Sequence, residues 1–212
     1  MGPNTPRITC LLCILACGLL AACGVGPDRV RIESIRNEGE AATLTHRPTI
    51  VAYRSSGDTD AEILATDLAI DDLDPARGFE GVRGQITRVR MFAVPVAGKT
   101  SLSSAAGNTV IQHLIINDGA LAVYGGSGLL RPNARPGASA LGGVLTGGTL
   151  RLTRSTPGIV DPLGTASIDL GLTATLDAPL ASIIAARLDQ AIEATRPVRP
   201  EEVEPARGRS TP

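Results

Sequence analysis

Between Thr165 and Leu176 apolar and polar side chains alternate without a break, with Ile168, Leu170, Leu172, Ala174 and Leu176 in one phase and Ser167, Asp169, Gly171, Thr173 and Thr175 in the other. Successive side chains of an extended strand point to opposite faces, so this period commits the segment to a strand with one buried face. Thr149–Thr153 repeats the pattern in miniature, and Thr49–Arg54, Ala61–Ile70, Val82–Val96, Asn108–Ile116 and Ala120–Tyr124 are further strand candidates. In Val82–Val96, Ile86 stands in one phase while Val89, Met91 and Ala93 stand in the other, which predicts a bulge near Arg88 or two strands divided there. Ser55-Ser56-Gly57-Asp58, Asn117-Asp118-Gly119 and Gly147-Gly148 carry turn chemistry, and the second of these predicts a hairpin.

One helix stands out near the end. Asp177 can cap it, Pro179 is tolerated in the first turn, and Leu180, Ile183, Ile184, Leu188, Ala191 and Ile192 fall on one face, with Arg187, Asp189 and Gln190 on the polar face. Such a helix should lie on the sheet. The expected fold is therefore mainly β, a β-sandwich or open barrel of about seven to nine strands with one C-terminal amphipathic helix. Tyr53, Phe79, Phe92 and Tyr124 are the only aromatic residues, so the core must be aliphatic and no aromatic platform exists for stacking sugars or bases.

All four cysteines, Cys10, Cys13, Cys17 and Cys23, lie in the first 23 residues. They sit in or beside an apolar run from Ile8 to Leu20, preceded by a stretch whose only charged side chain is Arg7 and followed by small residues. Thirteen residues at helical rise cover about 20 Å, short of the roughly 20 residues a bilayer span needs. The segment Leu20-Ala21-Ala22-Cys23 resembles the lipobox of bacterial lipoproteins. The resemblance, which covers residues 1–24 alone, implies cleavage between Ala22 and Cys23, a diacylglycerol on the Cys23 thiol and an optional N-acyl group on the new amino terminus. It also implies a cell-envelope location, and Gly24 in place of Asp favours the periplasmic face of the outer membrane in a cell with two membranes. Two or three acyl chains make such a tether effectively permanent, since each buried methylene contributes about 0.8 kcal/mol. No thiol would then remain for a disulfide.

The expected organisation is a signal over 1–22, a lipidated N-terminus and flexible tether over 23–47, a single β-rich domain over 48–195, and a disordered tail rich in Pro, Arg and Glu over 196–212. Loss of residues 1–22 leaves 19 basic and 21 acidic side chains, a charge of −2 that argues against nucleic acid as a partner. Every basic residue but Lys99 is Arg, and the arginines are scattered.

Familiar catalytic sets do not assemble. Gly125-Gly126-Ser127-Gly128-Leu129 and Gly137-Ala138-Ser139-Ala140-Leu141 each miss the nucleophile elbow at its last position, and both read as glycine-rich turns. His46, placed in the tether, and His113, placed in a strand, are 67 residues apart with no free thiolate to join them, so no metal centre is expected. The best remaining candidates for ligand or ion contact are the acidic run Asp67, Asp71, Asp72 and Asp74, the pair Arg88 and Arg90 on one strand face, and His113. The acidic run lacks the D-x-D-x-D-G order of a calcium loop. These observations point to a lipid-anchored, non-enzymatic binding or structural module of the envelope, with another envelope protein as partner and no cofactor beyond the lipid. A carrier or sensor with an apolar pocket between sheet and helix is the alternative, and an enzyme of unfamiliar type the third.

Overall fold

A computed structural model of the chain describes residues 28–35, 42–95, 107–161 and 163–198. The strands are β1 (Arg29–Ser34), β2 (Thr43–His46), β3 (Ile50–Ser55), β4 (Ala61–Thr66), β5 (Arg83–Met91), β6 (Thr109–Asn117), β7 (Ala120–Gly128), β8 (Leu130–Pro132), β9 (Ala140–Ser155), β10 (Ala166–Leu176) and β11 (Arg196–Pro197). The single helix among the described residues, α1 (Ala178–Ala194), lies between β10 and β11. The fold is thus mainly β with one C-terminal helix, as the alternation requires.

The sheet closes on itself. Neighbouring strands run β3, β4, β5, β6, β7, β9, β10 and back to β3. Closure depends on β9, whose residues 149–155 pair with β7 while residues 140–150 pair with β10. It is completed by a short parallel contact, Thr175 opposite Ala52 and Leu176 opposite Tyr53. Away from that contact β10 and β3 part, and β10 pairs instead with β1 through Arg29–Ser34, which in turn pairs with β2. The β1–β2 pair therefore sits at the seam of the ring, with Val30 and Ile32 of β1 fully buried in the interior cluster.

Two hydrophobic clusters share the ring's wall. Inside lie Tyr53, Ile63, Val89, Met91, Ile111, Tyr124, Leu145 and Leu172, among others. Outside, Leu64, Ile86, Leu114, Ile116, Leu121 and Val123 pack against Ala181, Ile184 and Leu188 of α1. This double burial explains the conflicting phases of β5: Ile86 faces the helix while Val89 and Met91 face the interior. The expected bulge near Arg88 is absent, because the β5 ladders to β4 and β6 run without a register shift. The space between sheet and helix is packed with these side chains, each contributing about 1.5–3 kcal/mol on burial.

The bulges lie on β9. Its ladder to β10 shifts between Ile168 and Leu170, and Gly147 there takes φ +65 while its N–H donates to Asp169 Oδ1 at 2.7 Å. Gly147-Gly148, expected as a turn, is thus a bulge inside one long strand. Likewise Gly125–Gly128 is not a turn but the continuation of β7. A Cβ at Gly126 would run into the Thr149 carbonyl of β9, so the two strands approach closely where glycine stands. The hairpin at Asn117 forms as expected: Asp118 (φ +53) and Gly119 (φ +82) make a two-residue turn of the type that matches strand twist.

Three further expectations change. Residues 29–34 and 43–46, placed in the tether, are strands, because Val30 and Ile32 bury against β10 and His46 reaches the ring interior. β4 stops at Thr66, whose hydroxyl accepts the Leu68 N–H, and Ile70–Leu73 forms a 3-10 turn. At the other end Arg196–Pro197 pairs with Arg154 and Ser155, and the tail from 199 onward lies outside the described residues, as do residues 1–27.

Candidate functional site

Three of the buried polar residues, His46, Thr87 and His113, converge at one place in the ring. Thr87 of β5 and His113 of β6 are directly opposite each other in the ladder, both with side chains facing inward. His46, at the end of β2, enters the same space. Its Nδ1 lies 3.2 Å from Thr87 Oγ1, and His113 Nδ1 lies 2.9 Å from the same oxygen. The imidazole centroids are 5.9 Å apart and tilted by 56°. His46 is 1 % exposed, and Thr87 and His113 are fully buried. Beyond His46, Asp67 Oδ1 stands 3.8 Å from Nε2 and also accepts the Gln85 N–H at 2.6 Å.

Hydrogen bonding orders these groups. The single Thr87 hydroxyl can donate to one imidazole and accept from the other. A bare His46 Nε2 would set a lone pair toward the Asp67 carboxylate, so the favoured arrangement places a proton there. His46 Nδ1 then accepts from Thr87, and Thr87 accepts from His113 Nδ1–H. This leaves His113 Nε2 as a buried lone pair with no hydrogen-bond partner. Both imidazoles are held neutral. Burial pushes the His113 pKa down to about 3, with the neighbouring His46 adding to the shift. Burial lowers His46 as well, against the opposing pull of Asp67.

The sequence of groups Asp67, His46, Thr87 has the order of a carboxylate, a base and a hydroxyl nucleophile. Its geometry argues against that use. Thr87 Oγ1 is enclosed between two imidazoles and 0 % exposed, so no substrate atom reaches it in this state.

The acidic run does not converge. Asp67 joins the histidines, Asp72 Oδ1 accepts from Arg77 Nη1 at 3.2 Å, Asp74 Oδ1 accepts the Ala76 N–H at 2.8 Å, and Asp71 stands in the 3-10 turn. Among the described residues no three His, Cys, Asp or Glu side chains come together to hold a metal ion. Arg88 and Arg90 do share a face, the outer one. Arg88 Nε lies 2.8 Å from Glu62 Oε1 and its Nη1 donates to Asp189 Oδ1 of α1 at 2.8 Å, while Glu62 also accepts from Arg54 Nε at 2.5 Å. Arg90 is opposite Glu62 in the ladder and lines a concavity of about 410 Å³ with Arg54, Ser55, Ser56 and Asp60. Arginine and carboxylate alternate there, so the face is a cross-strand charge network rather than an anion pocket.

Sequence reasoning misplaced two buried polar residues, His46 and Arg187, and passed over Thr87. His46 looked like tether, although Leu44 and His46 do alternate with Thr43 and Thr45. Arg187, assigned to the polar face of α1, is fully buried: Nη1 donates to the Arg77 carbonyl at 2.6 Å, Nη2 to the Gly78 carbonyl at 2.7 Å, and the guanidinium lies 4.0 Å from the Phe79 ring centroid. These loop partners are more than a hundred residues away in sequence, while Gln190, one turn further along α1, also accepts from Nη1 at 2.7 Å. Cys23 and Ala22 lie outside the described residues. No protein-family model, curated protein or solved structure matches this chain.

Proposed function

We propose that the chain is a lipid-anchored module of a bacterial cell envelope, acylated at Cys23, whose β-barrel binds or braces another envelope protein and performs no catalysis. The observation that carries this reading is the segment Leu20-Ala21-Ala22-Cys23 at the end of a signal-length apolar run. The fold supports it in one respect. Asp28, five residues past Cys23, accepts the Thr173 N–H at 2.7 Å and so pins the chain to β10. Five extended residues reach at most about 18 Å, so the barrel would ride close to the headgroups rather than on a long flexible leash.

The test is expression in a double-membraned bacterium with metabolic labelling by an alkyne fatty acid. The wild-type chain should take up label and stay in the membrane pellet after a carbonate wash. Cys23→Ser should lose both. Label uptake by the serine variant, or a wild-type protein released by carbonate, would overturn the reading. A partner is sought by crosslinking intact envelopes; recovery of the module alone under crosslinkers of several lengths would remove the binding half of the proposal.

A further inference from the structure

β2 is fastened to the barrel in an unusual way. It has a backbone ladder on one side only, four pairs to β1. Of its four residues Thr43 and Thr45 are exposed, Leu44 is half-buried and only His46 is buried. The next backbone tie to the ring is the Thr49 N–H, which donates to the Thr66 carbonyl at 2.9 Å. Between β1 and that tie, Leu44 packs partly against the interior cluster, and the one fully buried side chain is the His46 imidazole, seated on Thr87 and beside Asp67.

The seat tolerates neutral imidazoles and is spoiled by protons. With one proton added at His46, its Nδ1–H must donate to Thr87, Thr87 must turn its hydroxyl to His113, and Asp67 offsets part of the charge. With both rings protonated, two Nδ1–H groups face one hydroxyl oxygen, the hydroxyl proton has no acceptor, and two charges stand 5.9 Å apart in the interior. The groups that face the pair are Asp67, on the segment after β4, and Thr87 of β5. Tyr124 of β7 lies opposite His113 in the ladder, with its hydroxyl on Asp161. Asp67 alone of these lies within ion-pair range of an imidazole, and it does so on His46.

We infer that β2 is an acid-released strap: neutral His46 holds it shut over Thr87 and His113, and protonation as the surroundings acidify frees it while the rest of the ring stays closed. The strap is cheap to open because it buries little apolar surface, whereas β6 and β7 are bound by ladders on both sides. Opening exposes an imidazole and a hydroxyl at the seam beside β1, where the ring has no second ladder. The inference rests on the cluster geometry and does not depend on lipid attachment at Cys23.

Amide hydrogen exchange on the full chain, read at pH 7.5 and pH 5.5 and corrected for intrinsic exchange, tests it. One proton taken up at an ordinary His pKa near 6.5 predicts a loss of protection in residues 43–46 of up to about ten-fold per imidazole freed between these conditions. β6 and β7, which exchange only when the whole domain opens, should stay better protected than β2 at both pH values even as acid lowers global stability. His46→Leu should weaken the pH dependence in β2. A change below two-fold in wild-type β2, β2 protection no lower than that of β6 and β7 at pH 5.5, or an undiminished pH dependence in His46→Leu would each overturn the strap. The two wild-type outcomes decide the matter even if the variant does not fold.

Discussion

β6 and β2 are both short stretches that present a histidine to the same threonine, yet they are held in opposite ways. β6 has an unbroken ladder to β5 and another to β7, and both its faces are buried, Ile111 and His113 inward and Leu114 and Ile116 beneath the helix. β2 has one ladder, one half-buried leucine and one buried imidazole. A strand gripped on four sides shares the stability of the whole domain, while one held by a single ladder and two side chains has a stability of its own.

The largest expected effect lies on β6. Leu114→Ala removes a fully buried side chain between sheet and helix and should cost about 2–5 kcal/mol in urea unfolding, with every probe moving together. Acid comes next. Unfolded His113 takes up a proton near pH 6.5, whereas in the barrel it does so only near pH 3. Between those values the unfolded state binds more protons, so stability that is full above pH 6.5 drains as the pH falls, by up to about 1.4 kcal/mol per pH unit for this residue. His46, also held below its ordinary value, adds a loss of the same sign. Thermal melts from pH 7 to pH 4 should show a falling midpoint, and His113→Leu should flatten the slope; a flat wild-type profile would sink the neutral-imidazole assignment.

Smaller effects sharpen the contrast. Gly119→Ala forces a Cβ into the left-handed turn between β6 and β7 and should cost about 1 kcal/mol, since no neighbouring atom otherwise obstructs it. Leu44→Ala on β2 should cost less than about 1 kcal/mol in global unfolding while lowering protection of β2 amides. If Leu44→Ala destabilises the domain as much as Leu114→Ala, the two strands are not held differently.

The sequence disclosed those elements whose burial follows a simple period. β10 alternates cleanly, the Asn117 turn shows its residues, and Asp177 caps α1 by accepting the Leu180 N–H at 3.0 Å, as its position suggested. β5 misled because two clusters bury both its faces, which erases the contrast between phases. The first half of β9 was hidden because Gly147-Gly148 reads as a turn and Gly142 and Gly143 dilute the alternation before it, whereas these glycines serve close approach and a bulge. Of the candidate site, His113 and Asp67 were both singled out, but nothing local joins them. The join is made by Thr87 and His46, residues whose role exists only once β2, β4, β5 and β6 meet. Arg187 escaped for a related reason: carbonyls of a distant loop satisfy it, and no helical pattern records them.

The parallel contact of Ala52 and Tyr53 with Thr175 and Leu176 has a consequence for how the molecule is made. Well over a hundred residues separate the two sides of that joint. During synthesis β3 to β7 can form an antiparallel meander as they appear, but its first edge stays open until β10 has been made. Ring closure is a late event with a long loop to close, and contacts of this separation slow folding. Until then the nascent meander exposes an uncapped β3 edge, which makes this half-built stage the one most in need of protection from pairing with a neighbouring chain.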